Sequence, residues 1–243
     1  MKRFLQALLI TGLTAFLNIA PVHAADVPAA VINKIQKQAY YADPTYDSMA
    51  RSALRDMNPY FSFTSFRRNY AMTRQYAPIS DPVTEKMLNY TYIVETSEDA
   101  QQVQQALSDY NALVFKHLAN VRVVMHALSQ AKRDKRFGSA KALNWIRAGL
   151  LRDLFVSGDG MSLSGAYDVI TMDEEIYLFK KLGLKNIETI SNQESIVYYN
   201  MHEVEERRTG RTYTLFVNTT FPMKYLSALA DVKKGRSFDI RRQ

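Results

Sequence analysis

The sequence predicts an α+β fold, in which tetratricopeptide-like antiparallel helices come first and a small antiparallel sheet packed with one helix follows. Apolar residues recur at helical spacing from residue 25 to about residue 156. Between residues 157 and 230 the pattern changes to short runs rich in β-branched and aromatic residues, which is typical of strands. Helices followed by strands indicate an α+β protein. No repeat has the tetratricopeptide consensus spacing, so that likeness concerns the architecture alone.

The start of the chain, residues 1–24, has the pattern of an export signal. A short basic start precedes the apolar stretch Phe4–Ala20, and the small residues Val22 and Ala24 occupy the positions that a signal peptidase reads. We therefore expect cleavage after Ala24 and a periplasmic or secreted protein. The apolar stretch falls short of the roughly 20 residues that a membrane span needs, and no later hydrophobic run approaches that length, so the mature chain is expected to have no transmembrane segment.

Charge and composition restrict the classes of partner. The net charge of +7 is only moderately basic, and an exported chain has little access to nucleic acid, so no nucleic-acid partner is expected. The charge does suit contact with anionic components of the cell envelope. The chain has no cysteine, which excludes disulfides, thiol nucleophiles and thiolate metal sites.

The helical region, residues 25–156, is predicted to consist of several amphipathic helices joined by short polar turns. Asp43 is a possible cap, and Pro44 lies in the first turn that follows, where proline is well tolerated. Pro78 and Pro82 bracket a loop. The helices are predicted over residues 27–41, 43–57, 63–76, 97–110, 111–132 and 140–155.

The region from 157 to 230 is predicted to hold one helix, at about Met172–Leu182, and three or four antiparallel strands. Strand-like runs cover residues 186–190, 195–206 and 211–221. Thr209-Gly210 separates the last two runs and predicts a hairpin turn, because glycine readily adopts a positive φ. Residues 231–243 read as a basic, frayed tail.

Several residues that could bind a metal or a cofactor have the wrong spacing. His117 and His126 are predicted to share one helix, nine residues apart, which places them on opposite faces and prevents them from chelating one metal. His117 lies on the apolar stripe and is expected to be a core histidine. His202 lacks the second histidine of a zinc-protease motif, and a calcium loop beginning at Asp159 would have Met161 where a ligand is needed. No metal or cofactor is therefore expected.

The acidic residues Asp173, Glu174 and Glu175 have a structural explanation. Thr171 and Glu174 have the spacing of a capping box, and acids in the first turn of a helix interact favourably with its dipole. Gly183 is suited to end that helix in the left-handed conformation. This interpretation makes the segment a joint between the helices and the sheet.

Asp159, which lies between two glycines, remains a candidate binding residue. An alternative interpretation makes the protein an envelope-acting hydrolase, in which Asp159 pairs with Glu174 or Glu175 as general acid and base.

A second candidate binding site lies in the segment FTSFRRNYAMTRQYAP. Arg67 and Arg74 are seven residues apart, which would place them on one helix face near Tyr70. Arginines beside tyrosines bind anionic groups through bidentate hydrogen bonds and stacking. We hypothesise that Arg67, Tyr70 and Arg74 form an anion-recognising patch. The alternative is that the arginines lie beside a buried aromatic stripe and pair with acids of a neighbouring helix.

Two stretches and a hairpin together resemble a known family. RRNYAMTRQYAP, SGDGMSLSGAYDVITMDEEIYLFKKLGL and RRTGRTYTLFVN are similar to the secreted bacterial family catalogued as domain of unknown function 4919. The last strand of that family usually ends in aspartate, where this chain has Asn218, and the family has no assigned activity, so the resemblance implies no function. The matching positions are Tyr70, Tyr76, Pro78, Gly158, Asp159, Gly160, Ser162, Ala166, Tyr167, Val169, Ile170, Glu174, Glu175, Thr209 and Gly210.

The sequence therefore favours an exported, non-enzymatic binding or scaffolding module for a protein, a peptide or an anionic envelope polymer. The helical half would offer a groove to that partner, with Arg67, Tyr70, Arg74 and Asp159 as candidate binding residues. The hydrolase is the competing class of protein. A third class is a structural or stress-protective protein without a small ligand.

Overall fold

The computed structural model describes residues 44–233 and confirms the α+β fold. Within this range the chain forms eight α-helices and one four-stranded sheet. The predicted signal peptide, the helix predicted over residues 27–41 and most of the predicted basic tail lie outside the described residues.

Six helices precede the sheet region and two belong to it. The helices before it are α1 (Pro44–Arg55), α2 (Phe63–Ala71), α3 (Asp81–Thr96), α4 (Ala100–Lys116), α5 (Val121–Arg133) and α6 (Ala140–Val156), with a 3₁₀ turn at Lys135–Phe137. The remainder is β1 (Tyr167–Asp168), α7 (Glu174–Leu182), β2 (Leu184–Glu194), β3 (Val197–Glu206), β4 (Thr212–Asn218) and α8 (Thr220–Lys233).

Side-chain caps decide where several helices begin. The side-chain oxygens of Ser62, Asp99 and Ser139 accept backbone N–H groups at the starts of α2, α4 and α6. The predicted break before residue 111 is wrong, because α4 continues to Lys116. The break falls later, where Asn120 Oδ1 accepts the backbone N–H groups of residues 122 and 123 and starts α5. The prediction that His117 and His126 share one helix is therefore wrong.

Helix α3 was not predicted, and α2 is shorter than predicted. The loop that follows Pro78 ends at Ser80, and Pro82 lies inside the first turn of α3. Proline is tolerated there because the first N–H groups of a helix have no partner inside it. Helix α2 ends at Ala71, so Arg74 lies beyond it in a turn and does not share a helix face with Arg67.

Helix α6 connects two hydrophobic cores. Its residues Leu143, Ile146 and Leu150 are buried in the larger core among the helices, as the sequence predicts. Leu154, one turn further on, lies in a smaller core between the sheet and α7. This smaller core contains Leu154, Tyr167, Val169, Leu178, Leu184, Val204, Leu215 and Val217.

The sheet is mixed rather than purely antiparallel. Its strand order is β1-β4-β3-β2, and the two residues of β1 run parallel to β4, with Tyr167 opposite Val217. The two longer pairings are antiparallel, as predicted. The predicted hairpin turn is confirmed, since Gly210 has φ 71° and its N–H donates to the carbonyl oxygen of Glu206 at 2.8 Å.

Helix α8 was missed at the end of the sheet region. Residues 231–233 belong to it, so the predicted frayed tail does not begin at residue 231. The helix packs back on the larger core, where the Tyr225 ring meets the Tyr76 ring edge-on with centroids 5.2 Å apart.

Gly149 allows α6 to approach α2 closely. A Cβ at this position would overlap the ring of Phe63, which is itself buried. We predict that Gly149→Ala lowers the free energy of unfolding by about 1–3 kcal/mol through overpacking. On an exposed helix surface alanine would instead stabilise the protein by about 1 kcal/mol.

Urea unfolding of Gly149→Ala in the native and the Phe63→Leu backgrounds tests this contact. The loss should shrink in the Phe63→Leu background, where the ring is absent. Ala148→Gly, at an exposed position of the same helix, is the matched control and should cost about 1 kcal/mol. A Gly149→Ala protein that is more stable than the native one would contradict the close approach.

Candidate functional site

Asp159 lies in an exposed turn of the loop that follows α6. Its Oδ1 atom accepts the backbone N–H of Met161 at 2.9 Å, and its own N–H donates to the carbonyl oxygen of Gly165 at 2.9 Å. Gly160 has φ 70° and donates to the same carbonyl at 2.8 Å. The carboxylate of Asp159 therefore closes a local turn on the surface. It is not buried.

The three consecutive acids at the start of α7 are all buried, and each binds a different part of the molecule. Asp173 accepts a hydrogen bond from Arg122 Nη1 in α5 at 2.7 Å. Glu175 Oε1 accepts from Asn200 Nδ2 in β3 at 2.7 Å. Glu174 binds Arg67 in α2 at 2.8 Å. A favourable interaction with the helix dipole therefore explains only part of the role of these three acids. They also fasten α7 to both halves of the protein.

The predicted capping box is wrong. Thr171 Oγ1 is buried without a hydrogen-bond partner among the described residues, and Asp173 occupies the N-cap position of α7 without a side-chain capping hydrogen bond. Glu174 Oε2 accepts the backbone N–H of Ile170 at 2.7 Å in addition to Arg67. The predicted end of the helix is confirmed, because Gly183 has φ 68° and lies in the left-handed region.

The guanidinium of Arg67 lies at the centre of this polar joint, and the side chain is only 3% exposed. Nη1 donates to Asp153 Oδ2 in α6 at 2.8 Å, and Nη2 donates to Glu174 Oε2 at 2.8 Å. Nη2 also donates to the backbone carbonyl of Asp168 in β1 at 2.7 Å. One cation therefore connects α2, α6, β1 and α7, and we call this set of contacts the Arg67 joint.

Burial and charge act in opposite directions on the groups of the Arg67 joint. Burial raises the pKa of Glu174, and the charge of Arg67 with the backbone N–H of Ile170 offsets only part of that rise. Burial alone would lower the pKa of Arg67, but Glu174 and Asp153 outweigh it, so the pKa of Arg67 lies above its usual range. The arginine is therefore a permanent buried cation.

Arg67, Tyr70 and Arg74 do not form the hypothesised anion-recognising patch on the surface. Arg67 is bound by its own carboxylates, and Tyr70 is fully buried, with its hydroxyl 2.8 Å from His117 Nδ1. Arg74 is half-buried and makes no ion pair among residues 44–233. The alternative, in which arginine pairs with acids of neighbouring helices, holds for Arg67, although that arginine is interior. Sequence periodicity could show that Arg67 neighbours an aromatic stripe but could not identify its partners.

His117 is a core histidine, as predicted. Burial lowers its pKa to about 3, with smaller contributions from the charges of Lys116 and Lys86. The neutral ring is held by the Tyr70 hydroxyl, which in turn accepts the backbone N–H of Ala77 at 3.1 Å. This contact ties the end of α4 to the turn after α2.

A cleft of about 240 Å³ opens beside the Arg67 joint, but its charges are already paired. Thr64 Oγ1 donates to Asp153 Oδ1 at 2.5 Å, and Arg68 lies 3.7 Å from Asp168 Oδ2. Burial raises the pKa of Asp168, and the charges of Arg67 and Arg68 oppose the rise. The part of the chain that the structure describes contains no group of three or more histidines, cysteines or acids arranged to hold a metal.

The proposed acid–base pair is not brought together by hydrogen bonding. Asp159 is exposed and engaged with its own loop, whereas Glu174 and Glu175 are buried and bound to Arg67 and Asn200. Within residues 44–233, Asp159 shares no hydrogen-bond partner with either glutamate. The geometry therefore gives the hydrolase hypothesis no support.

The sheet offers a different surface, which the sequence did not identify. Strand β2 lies at the end of the strand order, and among the described residues only β3 pairs with it. Successive residues of a strand face opposite sides of the sheet, so alternate residues share one side. The register places Ile190 beside Met201 and Phe216, and Glu188 beside Glu203, on the side that we call the outer face. A groove of about 230 Å³ lies on this face.

Comparison of the chain with protein-family models, with curated proteins and with solved structures gave no match. None of the helices within residues 44–233 combines the length and the apolar character required to cross a bilayer.

The Arg67 joint predicts a large difference between two neighbouring arginines. Arg67→Ala would leave the buried Glu174 without its cation and should lower the free energy of unfolding by about 3–5 kcal/mol. Arg68→Ala, whose side chain is 61% exposed, should change it by no more than about 0.5 kcal/mol. Urea unfolding at pH 7 measures both values. Equal losses for the two variants would contradict the assignment of Arg67 as the buried connection.

His117 predicts a pH dependence of stability. Its pKa is about 6.5 in an unfolded chain and about 3 in the fold. Between these values the unfolded chain binds one more proton, so stability falls with decreasing pH by about 1.4 kcal/mol per pH unit from this group. The pKa values of Glu174 and Asp168 are raised in the fold, so these groups make stability rise with decreasing pH. They do so in the native protein and in the His117 variant alike. His117→Gln should therefore show a shallower acid loss between pH 6 and pH 4 in urea unfolding. Identical slopes would refute this role.

Proposed function

We propose that this chain is an exported, non-enzymatic binding or scaffolding module of the cell envelope whose partner is an extended polypeptide. The predicted signal peptide supports a periplasmic or secreted location, and the resemblance to a secreted bacterial family agrees with it. The observation that carries the polypeptide assignment is the outer edge of β2, with which no other strand among the described residues pairs.

The edge of β2 is long, and the charges of Lys185, Glu188 and Glu194 protect it only in part. The strand has 11 residues, and seven consecutive positions after its first residue are exposed. Natural edge strands are usually short, or blocked by proline, charge or a bulge. Strand β2 has no proline, and its irregularity lies near its start, between Asn186 and Glu188. From Glu188 to Glu194 the pairing with β3 is regular, so the backbone groups at the opposite edge have no partner within residues 44–233 and could pair with an incoming strand.

The Arg67 joint supports the same function by holding the sheet rigid. Glu175 binds β3 through Asn200, and Glu174 binds the helical half through Arg67. A fixed sheet loses little conformational freedom when an added strand binds, which favours affinity. An anionic polymer is a poorer candidate, because the arginine expected to recognise it is buried.

Photo-crosslinking tests the assignment of the binding surface. A photoreactive residue at Ile190, whose side chain is 49% exposed, should yield protease-sensitive polypeptide adducts in cells that export the protein. Tyr92 in α3, which is 66% exposed, is the matched control and should yield few adducts. Equal yields at both positions, or none at either, would count against the proposed function.

Proline substitution in β2 distinguishes loss of binding at the free edge from loss of stability of the fold. Of two adjacent residues in a strand, one directs its N–H toward β3 and the other toward the free edge. Of Ser191→Pro and Asn192→Pro, one should therefore destabilise the sheet, and the other should keep its stability but lose the adducts at position 190. A stable proline variant with native adducts would refute binding through the β2 edge.

A further inference from the structure

The outer face of the sheet carries two like charges opposite each other, one on β2 and one on β3, and no described residue forms an ion pair with either. Glu188 and Glu203 lie directly opposite each other, and both side chains are exposed. Like charges at this position destabilise a sheet. At the next charged pairing on this face Glu205 lies opposite Lys185, 3.6 Å from its ammonium group, so charge is balanced there. Neither Glu188 nor Glu203 has an ion-pair partner within residues 44–233.

The next cross-strand pair on the outer face is apolar, and the pair after it is polar. Ile190 lies opposite Met201, and Asn192 lies opposite Tyr199. Glu194 ends the strand on this face with a second exposed carboxylate. The outer face of β2 therefore presents an acid, an apolar side chain, an amide and an acid at alternate positions.

From this pattern we infer that the polypeptide recognised by β2 is a basic extended segment with two cationic residues six positions apart and an apolar residue two positions from one of them. This inference rests on the proposed function. A strand added at the free edge places its alternate side chains beside those of β2, with directly opposite Cβ atoms about 4.5–5.5 Å apart. One cation would then lie beside Glu188 and the other beside Glu194, with the apolar residue beside Ile190.

Spacing is the specific element of this recognition. Residues separated by an even number of positions share a face of a strand, whereas an odd separation puts them on opposite faces. Two cations five positions apart cannot both lie beside the acids of the outer face. Attraction between the exposed charges is also expected to weaken as salt increases.

Three synthetic peptides of equal length test the inference against the full mature protein. The first has arginines six positions apart and a valine two positions after the first arginine, in a threonine background. The second has the same composition with the arginines five positions apart, and the third has glutamate in place of arginine. We expect the first peptide to bind about five-fold more tightly than the second by calorimetry or anisotropy, and the third to bind most weakly.

Protein variants assign the effect to the named acids. Glu188→Gln combined with Glu194→Gln should remove the preference for the six-position spacing. Glu205→Gln is the matched control, because that acid is paired with Lys185, and it should keep the preference.

The outcomes separate this inference from the proposed function. If the acidic peptide or the five-position peptide binds as well as the first, and the edge-blocking proline variant weakens all of them, the charge pattern is overturned while polypeptide binding at β2 stands. If no extended peptide binds, or the proline variant binds all three like the native protein, both the inference and the proposed function are overturned.

Discussion

The buried guanidinium of Arg67 is the interaction on which the arrangement of the two halves depends. It leaves the helical layer from α2 and meets α6, β1 and α7 at once through Asp153, Asp168 and Glu174. Taking these charges out of water is costly, and the two ion pairs at 2.8 Å and the hydrogen bond to the backbone carbonyl of Asp168 at 2.7 Å offset part of that cost. Removing one partner therefore leaves an unpaired charge inside the protein, which makes the joint intolerant of change although it adds little net stability.

Helix α7 extends the connection from the Arg67 joint to further elements of the fold. Its three leading acids bind α2, α5 and β3, so a helix of nine residues is fastened to both cores by charge as well as by packing. The inner face of β3 and β4 is buried against the rest of the molecule, whereas β2 is exposed over seven consecutive positions and no other described strand pairs with its outer edge. An exposed sheet edge is what strand addition uses, and the proposed function rests on it.

Local pattern was enough to predict α6, the end of α7 at Gly183 and the hairpin at Gly210, because caps, periodicity and left-handed glycines act over a few residues. It failed where the deciding contact is distant in sequence. Glu174 looked like a capping residue, yet its partner Arg67 is 107 residues away. Strand order is also non-local, so the exposed edge of β2 could not be found from composition. Helix α3 was missed because Pro82 looks like a break, although proline fits a first turn.

Native-state hydrogen exchange of the native protein and of Arg67→Ala tests the central claim that this joint couples the halves. The probes are the amide of Ile170, which Glu174 binds directly, with those of Phe66 in α2 and Leu215 in β4. In the native protein the three amides should open with similar free energies, as one cooperative unit. In Arg67→Ala all three should lose protection together. Retention of native protection at Leu215 while Phe66 and Ile170 lose theirs would show that the sheet folds independently of Arg67 and would contradict the account.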